Sequence, residues 1–471
     1  MINLLYRRKR IVIETDLEIL DAIRLHFTFE NKSAKYQLGA DPFWSPISPL
    51  GSFKTGLFSE VYKYIKSFYP DEELNIDKEI FNIAFPQFNN NTTLFEPVNK
   101  EYKYRDYQEA AIKQVIKSGR GIILMPTRSG KSMVMYGAAL NIGFNKLLII
   151  VPNIQLVKQM YKDFIDYGWD PKDITMFSGS SKNYTPDSRI IIANSQYILK
   201  HIKELPTPDV IFIDEIHTTY KPGSKISKCI SSFKTLNKIG FTGTLPGNKM
   251  DEYKIKADIG SVIYERKVYE MQQAEILADV KIYPIRFVHK NKPKFQADSY
   301  EDLVKRYIWE VDTINANDIS NIKIVSIAKK LPGNSLILFD RIEHGRKLYE
   351  LLEYDNKCFV DGSVSLDKRE DVRKKMSVKS GCITIANTKC FSTGITLKQI
   401  QNIIFAMSGK GVTKIIQSIG RGLERNKSHI NLFDIFHNYH YSEKHFRERV
   451  KLYKQFYNIS IMSSEIKQVN F

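Results

Sequence analysis

Short apolar runs punctuate the chain at near-regular intervals. Between about residues 119 and 245 they read GIILM, KLLIIV, RIIIA, DVIFID and KIGFTG, each separated from the next by a stretch able to form a helix. Alternation of β-rich runs with helical segments predicts a parallel sheet with crossover helices. The rhythm weakens between about 246 and 330, then returns as SLILF, KCFV, CITIA, NIIFA and INLFDIF. Two successive α/β domains are the economical reading. The first hundred residues are mixed in pattern, with aromatics at Phe27, Phe29, Tyr36, Phe43 and Trp44. They predict a separate small α+β domain that ends near the polar stretch NNNTTLFEPVNK at 89–100. Towards the other end, Phe446, Val450, Tyr453 and Tyr457 recur at helical spacing. That predicts a helix laying one face on the second α/β domain, with Lys and Arg on its outer face.

Composition adds a partner to this picture. A chain of 471 residues accommodates two or three domains. At 43% hydrophobic and 12% aromatic residues, it has the material for packed cores. Lys and Arg exceed Asp and Glu by 70 − 52 = 18, and the excess is spread along the chain. A basic globular protein of this size most often meets a polyanion, of which nucleic acid is the commonest. A dense cluster, RRKR at 7–10, points the same way, although it also flanks the strand-like IVIE. Cys229, Cys358, Cys382 and Cys390 form no CxxC pair and no metal-ligand spacing, which predicts reduced, mostly buried thiols of a cytoplasmic protein. The apolar runs at 121–125 and 147–151 are too short to span a bilayer. NLL before RRKR reverses the order of a signal peptide.

Candidate chemistry sits in the first α/β region. MPTRSGKS, residues 125–132, follows the strand-like GIIL and ends like a phosphate-binding loop, although Met125 stands where such loops carry their first glycine. A loop between a strand and a helix can cradle phosphates with its backbone N–H groups and the helix N-terminus. Thr127, Arg128, Ser129 and Gly130 would form that cradle. Lys131 would reach the β- and γ-phosphates, and Ser132 would hold Mg²⁺. Alone, the tripeptide GKS fits a surface turn equally well. VIFIDEIH at 210–217 decides between them. Asp214, at the tip of an apolar strand, can bind Mg²⁺, and Glu215 beside it can orient and deprotonate the attacking water.

With these two motifs in place, residues 101 to 436 resemble a superfamily-two helicase or translocase. YRDYQ at 104–108 resembles the adenine-reading Q motif, with Gln108 as the reading amide. IVPNIQLVKQ at 150–159 resembles motif Ia, which lines the nucleic-acid track through Pro152 and Asn153, and NSQ at 194–196 resembles the TxQ element with Ser195 and Gln196. TGT at 242–244 stands at motif III and SLILFD at 335–340 at motif IV. TKCFSTGITL at 388–397 resembles motif V, which implies a strand contact for Thr388 and a nucleotide contact for Gly394. QSIGRGLER at 417–425 resembles motif VI, with Arg421 and Arg425 as candidate arginine fingers. The sequence departs from the pattern at Arg128, at Thr396 and at Glu424, where many relatives carry other residues.

The resemblance implies two tandem RecA-like parallel-sheet motor domains, at 99–262 and 263–471, preceded by the small α+β domain at 1–98. It implies ATP and Mg²⁺ as cofactors, ATP bound between the two motor domains, and a strand held across both. Within the superfamily the layout resembles the UvsW-type helicases of tailed phages, which act on forks, Holliday junctions and R-loops. SPLGSFKTGLFSEVYKYIKSF (48–68) and EMQQAEILADVKIYPIRFV (270–288) carry that likeness. The expected partner is DNA, branched or with single-stranded regions, with RNA possible in hybrids. A monomer without a membrane partner is expected, in the host cytoplasm if phage-encoded. An RNA-duplex helicase, the motor portion of a restriction system, and a pure binding module with a degenerate ATP site are the rival readings.

Overall fold

The computed structural model describes residues 1–31, 34, 41–86, 88, 94–126, 129–178, 185, 187–219, 224–274, 279–290, 302–362, 372, 381–388, 400–407 and 429–471. They form two compact units, Met1–Arg266 and Lys267–Phe471.

The first unit opens with a mixed sheet. Its strands are β1 (Ile2–Arg7), β2 (Arg10–Glu14), β5 (Ser52–Phe53) and β6 (Leu74–Ile76), in the order β5-β2-β1-β6. Between them, β3 (Phe29–Glu30) and β4 (Phe43–Trp44) make a separate two-stranded ribbon. Ile2, Leu4, Ile11 and Ile13 face helices 17–26 and 58–68, where Leu20, Ile23, Val61 and Ile65 close a core. Ala257 belongs to that same core, so the small domain is seated on the helix Lys249–Ile259. The approach is close enough that a Cβ on Gly56 would lie 2.3 Å from the Lys256 carbonyl oxygen. Polar contacts join the seam. Lys256 pairs with Glu60 at 3.0 Å, and Arg120 donates to Thr55 at 3.0 Å and to the carbonyls of Ile259 and Asp258 at 2.8 Å.

The rest of this unit is a seven-stranded parallel sheet of β7 (Gly121–Leu124), β8 (Leu147–Val151), β9 (Ile174–Phe177), β10 (Ile190–Asn194), β11 (Val210–Asp214), β12 (Asn237–Thr242) and β13 (Val262–Glu265). Its order is β13-β7-β12-β11-β8-β10-β9. Every residue of β8, β10 and β11 is buried. Continuous apolar runs suit this place because helices cover both faces of a parallel sheet, so no position of a central strand meets water.

The second unit repeats the architecture with β14 (Asp279–Val288), β15 (Asn334–Phe339), β16 (Lys357–Val360), β17 (Ile383–Asn387), β18 (Ile400–Phe405), β19 (His429–His437) and β20 (Lys467–Asn470). The order is β16-β17-β15-β18-β19-β14-β20, again all parallel. Two tandem RecA-like sheets behind a small α+β region are thus the fold. The helix His440–Tyr457 buries Phe446, Tyr453 and Tyr457 as the periodicity predicts, but Val450 only in part. Arg449 turns inward as well, because the core offers it Asp434 of β19: its Nε and Nη2 donate to the two carboxylate oxygens at 2.9 and 2.8 Å, and the Tyr453 hydroxyl donates to the same carboxylate at 2.8 Å.

Candidate active site at the sheet edge

All the strands of the first large sheet point the same way, so the loops leaving their carboxyl ends share one edge. The order of strands therefore fixes the order of motifs along that edge. Gly130-Lys131-Ser132 follows β7, Thr242-Gly243-Thr244 lies at the end of β12, and Asp214-Glu215 at the end of β11. Pro152 and Asn153 follow β8, and Ser195 and Gln196 follow β10. The neighbouring ends Val151 and Asn194 are in register, which brings these last two pairs together. The edge of a parallel sheet at which strands deliver their carboxyl ends is where such folds bind ligands.

The phosphate-loop candidate is shaped by its neighbours. Gly130, at φ +79°, caps the helix Lys131–Asn141 in the left-handed region that glycine adopts without cost. A Cβ there would lie 2.3 Å from Nε2 of Gln108. Gln108 is buried; its Nε2 donates to the Ser129 carbonyl at 3.0 Å and its Oε1 accepts from the Arg105 backbone N–H at 2.9 Å. The Tyr107 hydroxyl donates to the same Ser129 carbonyl at 2.9 Å. One Gln108 amide proton and one lone pair remain after these bonds. Met125, the departure from the usual loop, is fully buried beneath it, its N–H donating to the Thr242 carbonyl at 2.9 Å. Ser129 is also fully buried, and its hydroxyl has no hydrogen-bond partner among the described residues.

Charge converges beside this loop. The Lys131 ammonium lies 3.4 Å from Glu215 Oε1 and 3.4 Å from the carbonyl oxygens of Met125 and Pro126. Burial, and then the adjacent Glu215 charge, push the Asp214 carboxyl up to about 7, with Lys131 opposing. Glu215 occupies φ +44°, a region that costs a non-glycine residue about 1–3 kcal/mol. Its strain places the carboxylate beside both Lys131 and His217, which is 3.5 Å away. Burial lowers the His217 pKa, favouring the neutral ring, and Nδ1 makes a 2.6 Å bond with the Thr242 hydroxyl. Thr242 in turn donates to the Thr244 carbonyl at 2.8 Å, so the DEIH and TGT segments are joined. Ser132 Oγ is 3.1 Å from the Tyr167 hydroxyl. Tyr167 belongs to no motif legible in the sequence.

This donor set suits a magnesium nucleotide. The helix N-terminus and Lys131 suit phosphate oxygens, and the buried Ser129 hydroxyl offers a further donor. Asp214 and Glu215 repel each other, and a divalent cation near Asp214 and Ser132 removes that repulsion. Hard cations of this kind take oxygen ligands from one or two carboxylates plus phosphates.

The remaining candidates fall elsewhere. Asn153 spends its side-chain oxygen capping the helix Ile154–Asp166, accepting from the Leu156 N–H at 3.0 Å, while Gln196 is exposed. In the second unit Thr388 follows β17, is buried, and donates to Asp340 at 2.5 Å. Thr127, Arg128, Gly394, Arg421 and Arg425 lie outside the described residues.

A RecA-like sheet pair with GKS, DEIH and TGT along one edge defines the motor of a superfamily-two helicase, and the chain is an ATP-dependent helicase of that class. Residues 101–247 match the family of the type III restriction enzyme res subunit, and residues 319–425 match the helicase conserved C-terminal domain. The layout is similar to that of the ATP-dependent DNA helicase uvsW of Enterobacteria phage T4, which is 25% identical over 393 residues, covering 79% of this chain and 76% of that protein. The DNA 3'-5' translocase XPB2 of Sulfurisphaera tokodaii is 24% identical over 416 residues, 79% of this chain and 88% of the relative. The fold is shared with a fragment of a putative HsdR subunit of a type I restriction enzyme from Vibrio vulnificus YJ016, with a TM-score of 0.55 and 15% identity over 88% of this chain and 74% of that one. Among the described residues no helix is long and apolar enough to cross a membrane.

Proposed function

We propose that this helicase is a DNA-stimulated ATPase that remodels branched DNA such as forks, Holliday junctions and R-loops, in the cytoplasm, that of the host if phage-encoded. The observation that carries the reading is the order of loops along the β7-β12-β11-β8-β10 edge: the phosphate-type loop and the acidic pair on one side, Pro152-Asn153 and Ser195-Gln196 immediately beside them. Nucleotide chemistry and strand contact are then two halves of one edge. DNA is favoured over RNA by the likeness to a phage DNA helicase and to a DNA translocase. Residues 1–98 serve as an accessory DNA-binding domain, 99–262 and 263–471 as the two motor domains.

In this reading Ser129 and Gly130 present the loop backbone to the phosphates, together with Thr127 and Arg128, and Gln108 braces the loop and meets the adenine. Lys131 leaves Glu215 to bind the β- and γ-phosphate oxygens. Asp214 and Ser132 would hold Mg²⁺, which when bound would neutralise charge developing on the phosphates. Glu215, released from Lys131, takes a proton from water at its carboxylate. Gly394 contributes to the nucleotide site, Arg421 and Arg425 supply the positive charge typical of phosphoryl transfer, and Thr388 braces the strand-contact side.

The test is ATP hydrolysis by the full chain with no nucleic acid, single-stranded DNA, RNA, forks, four-way junctions and R-loops. Stimulation by DNA, greatest for branched forms, is expected, together with loss of hydrolysis but not of DNA binding in Lys131→Ala. Equal or greater stimulation by RNA duplexes would move the substrate to RNA, and unchanged turnover in Lys131→Ala would remove the loop from catalysis.

A further inference from the structure

A cavity of about 50 Å³ opens in the second unit, lined by Tyr307, Asn315, Asp340, Arg341 and His344. It lies at the carboxyl edge of the sheet: Asp340 and Arg341 follow β15, and Thr388 follows the neighbouring β17. Among the described residues, the Tyr307 hydroxyl, the Asn315 amide and the Arg341 guanidinium have no hydrogen-bond or ion-pair partner. We propose that this cavity takes the Watson–Crick edge of an unpaired guanine in a DNA strand held by the second motor domain. This rests on the assignment of DNA as the partner made above and names the base it would read.

Asn321 fixes the tautomer of His344. Its Nδ2 donates to the Asn315 carbonyl at 2.9 Å, so its Oδ1 accepts, and the 2.9 Å bond to His344 runs from Nε2–H. Burial, and then the Lys347 charge, lower the His344 pKa to about 4, so the ring is neutral and Nδ1 is a bare acceptor. The side chain is only 4% exposed, yet Nδ1 has no partner among the described residues. Asp340 is the second acceptor. One of its oxygens takes the Thr388 proton at 2.5 Å, and lone pairs remain on both. Burial, and then the Asp340 charge, raise the Tyr307 phenol, so it keeps a proton to donate. Two acceptors therefore face donors from Tyr307, Asn315 and Arg341 across one small space. The carboxylate repels a phosphate, which leaves the base of a strand, rather than its backbone, as the group that fits. Guanine alone among the four bases presents two donors side by side, N1–H and N2–H₂, next to an acceptor, O6. The paired donors match the two oxygens of one carboxylate, and O6 matches the Arg341 guanidinium. About 50 Å³ holds roughly four water-sized groups, enough for that edge while the rest of the base stays at the mouth.

The test compares oligonucleotides on the full chain without ATP. Fluorescence anisotropy gives the Kd of a short oligo-dT and of the same oligomer carrying one guanine, inosine or adenine. A single guanine should tighten binding about 10-fold over oligo-dT, the scale of one bidentate base contact. Inosine, which lacks the N2 amino group, should keep only about 3-fold, and adenine should match thymine. Asp340→Asn should bring the ratio of guanine to oligo-dT affinities to about 1, because an amide offers one oxygen to the paired donors where the carboxylate offers two. Arg341→Gln should lower it to about 3 through the weakened contact with O6. The readout is the ratio, so a general loss of strand binding does not imitate the effect. A wild-type ratio near 1 with firm binding of oligo-dT, equal gains from guanine and adenine, equal affinity for guanine and inosine, or a ratio unchanged in Asp340→Asn would each overturn the proposal. Displacement of the guanine oligomer by an equal concentration of GMP would overturn it too, by giving the cavity to a free nucleotide. Failure to bind any of the oligonucleotides would overturn the DNA assignment itself, and this site with it.

Discussion

Glu215 is held in a left-handed conformation while its carboxylate lies 3.4 Å from Lys131, so backbone strain and charge pairing meet in one residue. Replacing it with Gln keeps size and position but removes the capacity to accept a proton. Glu215→Gln should therefore bind nucleotide and turn over ~10²–10⁴-fold more slowly, the usual range for a lost general base. Equal loss of binding and turnover, in a paired binding and single-turnover measurement, would make it a structural residue. The Lys131, Asp214 and Glu215 grouping was legible in the sequence because each lies at or shortly after an apolar run that marks a strand. The strain at Glu215, and the approach of Tyr167 to Ser132, were not, since both are products of packing between segments distant in the chain. His344 in the second unit shows the same limit. It reads as an ordinary helix histidine, yet burial and then the Lys347 charge lower its pKa to about 4, and its Nε2 bonds Asn321 at 2.9 Å. A histidine depressed from 6.5 binds fewer protons folded than unfolded, so its stabilisation is present above pH 6.5 and lost as pH falls towards 4. By pH 4 the loss is about 3 kcal/mol. Denaturant unfolding at stepped pH should show it, and His344→Gln should flatten that part of the profile.

At the scale of elements, the apolar runs located ten strands of the two large sheets, nine of them interior and β16 at an edge. The missed edge strands β9 (ITMF) and β13 (VIYE) break their apolar runs with Thr175 and with Tyr264 and Glu265. β14 carries Pro284, which removes a backbone donor and argues against an interior strand. It is tolerated because the pairing with β20 begins only at Ile285, so at Pro284 the strand has β19 alone as a neighbour. The helix His440–Tyr457 was legible by its period, but not the ion pair that fastens it to β19. Arg449 and Asp434 are 2.8 Å apart with side chains 2% and 0% exposed. Removing one partner of such a pair leaves a charge in an apolar interior and costs about 3–5 kcal/mol. Arg449→Leu should lower unfolding stability by that amount. Adding Asp434→Asn should restore much of it, because no uncompensated charge remains, and Tyr453 keeps an oxygen to donate to. An undiminished loss in the double variant would mean that the guanidinium stabilises by packing rather than by charge.

At the scale of the whole molecule, the question is whether the first hundred residues touch DNA or only complete the first unit. Deleting them does not answer it. Tyr253 and Ala257 pack into their core and Arg120 donates to Thr55, so truncation uncovers apolar surface and strips a buried cation of a partner. The β1–β2 hairpin offers a cleaner handle. Its two turn residues, Arg8 and Lys9, stand at φ 49° and 66° and are exposed, whereas Arg7 pairs with Glu14 at 2.6 Å and Arg10 donates to Ser52 at 2.6 Å. A two-residue turn with both residues at positive φ favours Asn-Gly, and two long cationic side chains there are strained. Arg8→Asn together with Lys9→Gly therefore removes two charges and relaxes the turn at once. If the tip serves only the fold, the double variant should be at least as stable as the wild type and bind DNA identically. If it grips phosphates, stability should still hold or rise while affinity for forks falls, and the slope of log K against log salt should shrink by about 2, one unit for each phosphate no longer neutralised. A net charge of +18 makes the second outcome the expected one. An unchanged salt slope, measured on the same fork from low to physiological ionic strength, would confine the role of the hairpin to closing its own small sheet.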